Sequence, residues 1–264
     1  MMEAKIRKPA VAGSFYAGDA KELRQDVQNC FSRCKNPLME NVQAVIVPHA
    51  GYVFSGVTAA SAFAAINPDA EYEHIFLLGP SHHVYLGKAS VNIGASAYAT
   101  PLGNVPVDTA LCKDLMEKSD AITYAQEAHE NEHCLEVELP FLQYHMKKIP
   151  SIVPIIIATQ ELTTLKKIAD TLKPYLNEKN LFVISSDFSH YPAYKDAEIV
   201  DGLTKDSIMT GKVEAFVNAT LHNQELGIDH LATSACGMAP IATLLMMTEN
   251  DANIKPHHVI LQLR

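Results

Sequence analysis

Five apolar runs constrain this chain more than any other feature: AVIVP (44–48), HIFLLG (74–79), SIVPIIIA (151–158), LFVISS (181–186) and HVILQL (258–263). They are β-branched and continuous, without the apolar–polar alternation of a sheet that has one wet face. Strands of this kind are covered on both faces, as in parallel sheets. Between them lie stretches of helical periodicity at 57–66, 109–118, 133–147, 162–176 and 237–248, with a further helical region over 195–222. Such strand–helix alternation predicts an α/β fold, a mostly parallel sheet flanked by helices. Residues 88–93 add a shorter strand nearer an edge. No internal repeat or linker interrupts the pattern, and 264 residues suit one large α/β domain, so 1–264 reads as a single domain.

Composition removes several function classes. Hydrophobic residues make up 48% of the chain, ample for a core and too much for a disordered segment. Lys and Arg number 21 against 30 Asp and Glu, a formal charge of −9, and no basic cluster breaks that balance. A nucleic-acid backbone is therefore not an expected partner. The opening MMEAKIRKPAV lacks the apolar segment of a signal peptide, and no run approaches a transmembrane span, so no membrane association is expected. Five cysteines, an odd number in no compact framework, fit a reduced cytoplasmic protein.

The polar residues that follow the strands carry the functional signal. His49 lies in VPHAGYVFSG, directly after the first run; Ser81, His82 and His83 follow the second; Asp187 and His190, in SSDFSH, follow the fourth. In a parallel sheet the C-terminal ends of the strands share one edge, where ligand sites collect. His49, His82, Asp187 and His190 are thus expected to open onto one pocket. Cys236, in TSACGMAP, stands just before the helix at 237–248, and a thiol near a helix N-terminus is biased toward thiolate. One histidine after a strand is ordinarily solvated, and one cysteine is ordinarily a small buried hydrophobe. It is the convergence on one edge that gives these residues weight.

Taken in order, PAVAGSFYAGD (9–19), PHAGY followed by Ser-Gly, LGPSHH, EHCLEVELPF (132–141), SSDFSH and the late Cys-Gly resemble the Memo family over essentially the whole chain. The resemblance implies a fold like the metal-binding subunit of class III extradiol dioxygenases. Prokaryotic members resemble protein B of the AmmeMemoRadiSam system, which implies AMMECR1-like and radical-SAM proteins as partners. Carried over position by position, it implies His49, His82 and Cys236 as metal ligands, His190 as the catalytic acid or base, Asp187 as its orienting neighbour or a support of the metal, and His133 as a substrate-positioning residue. Two histidines and a carboxylate suit non-haem iron(II). With Cys236 in the carboxylate's place, iron(II) stands first, and copper or zinc becomes competitive.

Other residues read more plainly. Glu132 and Glu136, four apart, would share a solvated helix face, with Leu135, Leu139 and Leu142 on the apolar back. His83 points away from its neighbour and is no ligand. Cys30 and Cys34 lack a second pair and are packing cysteines. His257 and His258 begin the last strand. Two functions of different class follow: a metal-dependent redox or oxygenase-like enzyme acting on a small organic molecule, or a non-catalytic scaffold that uses the ancestral pocket to hold a peptide or protein.

Overall fold

Four of the five apolar runs become the core of a six-stranded sheet in the computed structural model, which describes residues 5–34 and 38–258. The strands, in chain order over both sheets, are β1 (Lys5–Arg7), β2 (Ala44–Val47), β3 (His74–Pro80), β4 (Lys88–Val91), β5 (Ala95–Thr100), β6 (Gly103–Pro106), β7 (Ile122–Thr123), β8 (Ser151–Ala158) and β9 (Asn180–Ser185). The large sheet runs β2-β9-β3-β8-β4-β7. Its first four strands are mutually parallel, β4 is antiparallel to β8, and β7 is the edge. Ile75 to Leu78 in β3 and Leu181 to Ile184 in β9 are wholly buried, as continuous apolar strands covered on both faces must be. Of the run 258–263, only His258 lies among the described residues, in no regular element.

The helices are α1 (Ala20–Ser32), α2 (Tyr52–Ala64), α3 (Thr109–Lys118), α4 (Glu127–Glu130), α5 (Leu139–His145), α6 (Leu162–Leu172), α7 (Tyr194–Met209), α8 (Val213–Glu225) and α9 (Met238–Thr248). α2 starts five residues before its periodic stretch, because Val53 and Phe54 in its first turn are exposed and blur the apolar pattern. The region 195–222 is two helices. They break at Gly211, whose φ of +67° a side chain would disfavour. The helix expected over 133–147 is the largest correction: only α5 is α-helical there, after a 3₁₀ turn at Glu136–Glu138.

The cause of that correction lies in the carboxylates. Glu132 and Glu136 are buried rather than solvated. Glu136 accepts from the Arg7 guanidinium at 2.6 Å, the Ala10 and Val11 N–H groups at 2.7 and 3.1 Å, and the Tyr16 hydroxyl at 2.6 Å. Arg7 also donates to the carbonyls of His129 and Glu132, and its guanidinium stacks over the Tyr98 ring. These bonds bind the N-terminal segment to the stretch 129–138. They belong to a second, three-stranded sheet region, β1-β5-β6, whose short strands carry no signal in the sequence.

Candidate metal centre

Strand register brings the first residues of the site together. β2 and β9 pair with Val47 opposite Ser185, so His49 and Asp187 leave the sheet side by side. The N–H groups of His49 and Ala50 donate to Asp187 Oδ1 at 2.8 and 3.2 Å. The His49 ring is buried, with Nε2 3.2 Å from Cys236 Sγ and 3.8 Å from Asp187 Oδ2. His82 arrives from the loop after β3, its ring centroid 5.2 Å from that of His49. One donor atom each from His49, His82 and Cys236 lies within 4.8 Å of the others.

Cys236 reaches this point because its neighbour has no side chain. A Cβ on Gly237 would stand 2.4 Å from Ser186 Cβ and 2.7 Å from the Ser185 carbonyl oxygen, well inside contact distance. With glycine there, Gly237 N–H donates to Ser186 Oγ at 2.9 Å and Asp187 N–H donates to Cys236 Sγ at 3.3 Å. The expected thiolate bias is not what this environment produces. Burial, reinforced by the charge of Asp187, pushes the thiol up to about 12. The thiolate needs a cation beside it.

Each imidazole is anchored through Nδ1. His49 Nδ1 lies 2.6 Å from Ser185 Oγ, and His82 Nδ1 lies 2.9 Å from Glu132 Oε1. Glu132 is a hub: its second oxygen accepts the His82 N–H at 2.7 Å, and Oε1 also accepts the N–H groups of His133 and Cys134. In both rings this anchoring leaves Nε2 for a metal, the arrangement typical of ligating histidines. Burial pushes His49 down to about 4, the charge of Asp187 opposing. For His82 burial also pulls downward, but the hydrogen bond and charge of Glu132 prevail and raise it. Burial resists ionisation of Glu132, yet the His82 and backbone hydrogen bonds hold it near 2.

The other sequence candidates gather around this trio. Asp187, His190 and Cys236 form a second group of donors within 4.8 Å, sharing the sulfur. His190 places Nδ1 2.7 Å from the Phe188 carbonyl, and its own N–H donates to the Thr233 carbonyl. His133 stacks on His82 at 4.8 Å between centroids, and Phe15 meets it edge-on at 4.8 Å. His83 is exposed, with Nε2 3.1 Å from the Asn131 carbonyl. Cys30 lies in the hydrophobic core and Cys34 packs against it, as packing cysteines do. Sequence reasoning missed Glu132 as the support of His82, Ser185 as that of His49, Glu138 behind Ser185, and Phe15. The available signal was three glutamates spaced among the apolar residues of EHCLEVELPF.

The Memo-like protein family model matches residues 7–259. The chain belongs to the Memo family. Three relatives, each described as a MEMO1 family protein, come from archaea. The protein of Nitrosopumilus maritimus is 32% identical over 95% of this chain and 90% of its own. That of Methanopyrus kandleri is 33% identical over 91% and 86%, and that of Aeropyrum pernix 35% over 90% and 86%. Every motif that suggested Memo falls inside the matched span, from Pro9 to Pro240. Among the described residues of this Memo chain, no helix is long and apolar enough to cross a membrane.

Proposed function

We propose that this Memo protein is a metal-dependent oxidoreductase acting on a small organic molecule, with one ion held by His49, His82 and Cys236. The observation that carries the reading is that trio: three donor atoms within 4.8 Å, with the far nitrogen of each ring already taken by a fixed partner. The donor set fits iron(II) first, and the thiolate keeps copper and zinc in contention. Three protein ligands leave room for substrate, so a bound ion would supply Lewis acidity and, if redox-active, electrons.

The surrounding residues take complementary roles. The Phe188 carbonyl can only accept, so His190 Nδ1 carries the proton and Nε2 offers a lone pair. That makes His190 a base which, once protonated, returns the proton as an acid. Asp187 orders the His49 backbone and faces its Nε2. His133, backed by Phe15, forms a flat wall that orients substrate and excludes water. The Cys236 thiol gives up its proton on binding the ion, so affinity falls as pH drops.

Anaerobic titration with iron(II) on wild type, His49→Ala and Cys236→Ser tests the site. Both variants should bind at least about a hundredfold more weakly while remaining folded, because a ligand counts for no less than the second-layer groups that support it. His190→Ala should keep the metal and lose turnover in a small-molecule screen. Unchanged affinity in His49→Ala and Cys236→Ser together would remove the enzyme reading and leave the scaffold.

A further inference from the structure

We infer that Glu138 is held as a neutral carboxylic acid and, acting through Ser185, is a positioning residue for His49; the role rests on the metal reading above. Ser185 Oγ has three partners: His49 Nδ1 at 2.6 Å, the Cys134 carbonyl oxygen at 2.7 Å and Glu138 Oε1 at 3.1 Å. A hydroxyl has one proton and two lone pairs. The carbonyl can only accept, so the Ser185 proton goes to it. The other two partners must then donate. His49 does so as the Nδ1–H tautomer, and Glu138 can do so only when protonated.

The opposite arrangement, with Ser185 donating to an ionised Glu138, fails on the other oxygen. Glu138 is wholly buried, and its Oε2 has no hydrogen-bond partner among the described residues. A charge there would lie bare in the core. Among the described residues, the groups facing it supply no cation. They are the Ser185 hydroxyl on β9, Cys134 in the preceding loop, Tyr52 on α2, whose hydroxyl is committed to the Val137 carbonyl, and Asp187 beyond β9. Arg7, the cation bound to this stretch, is taken by Glu136 two residues away. Burial accordingly pushes the Glu138 carboxyl well up, the Ser185 bond opposing and Asp187 adding to the rise.

The consequence lies at His49. With its proton on the Cys134 carbonyl and Glu138 donating to it, the Ser185 hydroxyl can only accept from His49, which fixes the ring as the Nδ1–H tautomer. Nε2 then keeps its lone pair facing Cys236 Sγ, 3.2 Å away.

The test uses the full chain, with zinc(II) as a redox-inert probe, in wild type, Glu138→Gln, Glu138→Met and His49→Ala. A glutamine amide can donate to Ser185 as the protonated acid does, so Glu138→Gln should bind zinc within about twofold of wild type. Methionine fills the volume without a donor and should weaken binding roughly tenfold, the scale of lost second-layer support. Denaturant unfolding without metal reads the proton itself. The folded acid keeps a proton that the unfolded chain loses above its ordinary 4.5, so stability falls as pH rises. Between about pH 5 and 8 the folding constant of Glu138→Gln should therefore gain on wild type by up to about tenfold per pH unit. Parallel stability curves would overturn the neutral acid. Zinc binding by Glu138→Met equal to wild type, or by Glu138→Gln as weak as Glu138→Met, would overturn the positioning role. Wild-type affinity in His49→Ala would instead sink the metal reading, while the unfolding arm still reports on Glu138.

Discussion

His49 and His129 are equally buried, and burial pushes both down, to about 4 and about 3. Yet they sit in different chemistry. His129, on α4, has Nε2 3.0 Å from the Ser90 hydroxyl and Nδ1 3.1 Å from the Tyr98 hydroxyl, and Arg7 caps its carbonyl. Both nitrogens are occupied, so the ring is part of the packing between the two sheets. His49 spends one nitrogen on Ser185 and turns the other toward a sulfur. Burial and a shifted pKa do not distinguish a ligand from a core histidine. What separates these two rings is the nitrogen that His49 leaves without a hydroxyl or carbonyl partner.

Acid should act on both regions at once, with the largest effect. Each ring is lowered in the folded state, so the unfolded chain binds more protons as pH falls below the ordinary 6.5. The stability that goes with neutral rings is complete above that value. It is lost through about 4 for His49 and about 3 for His129. At about 1.4 kcal/mol per pH unit for each ring, the metal-free protein should lose several kcal/mol between pH 6.5 and 4, measured by denaturant unfolding. Replacing either histidine should flatten part of that curve; an unchanged slope in both variants would break the assignment.

A crossed pair of variants sharpens the contrast. His129→Ala should cost about 2–4 kcal/mol of stability, because it opens a cavity beside two buried hydroxyls, and should leave zinc affinity within about twofold. His49→Ala should do the reverse, losing at least about a hundredfold in affinity at a smaller cost in stability. If one variant damaged both properties as much as the other, the two regions would not be functionally distinct.

The smallest expected effect concerns the anchors. Glu132→Gln replaces an oxygen that accepts from His82, His133 and Cys134 with a group that cannot satisfy them all, and should weaken zinc binding about tenfold. His83→Ala, on an exposed ring one residue from His82, should change nothing in the same titration. A loss in His83→Ala comparable to that in Glu132→Gln would place His83 at the centre after all.

Much of this molecule is legible in its sequence. The runs at 44–48, 74–79, 151–158 and 181–186 became four adjacent parallel strands, because a continuous β-branched run can be buried only in a sheet covered on both faces. From that alone, His49, His82 and Asp187 had to share an edge, and the Memo motifs lay in plain sequence order. The carboxylates were not legible. Glu132 and Glu136 have the spacing of a wet helix face, and nothing local says that Arg7, more than a hundred residues earlier, will bond with one and His82 with the other. Periodicity records which residues water would favour outside, and a long-range ion pair or hydrogen bond can overrule it. The same holds for Cys236, whose nearness to a helix start suggested a thiolate until burial and Asp187 set it the other way. Sequence by itself determined the four central parallel strands and the residues that follow them, because both follow from local hydrophobic order. Tertiary structure alone decided which buried polar atoms face one another, because hydrogen-bond partners, charges and burial are fixed only when distant segments meet.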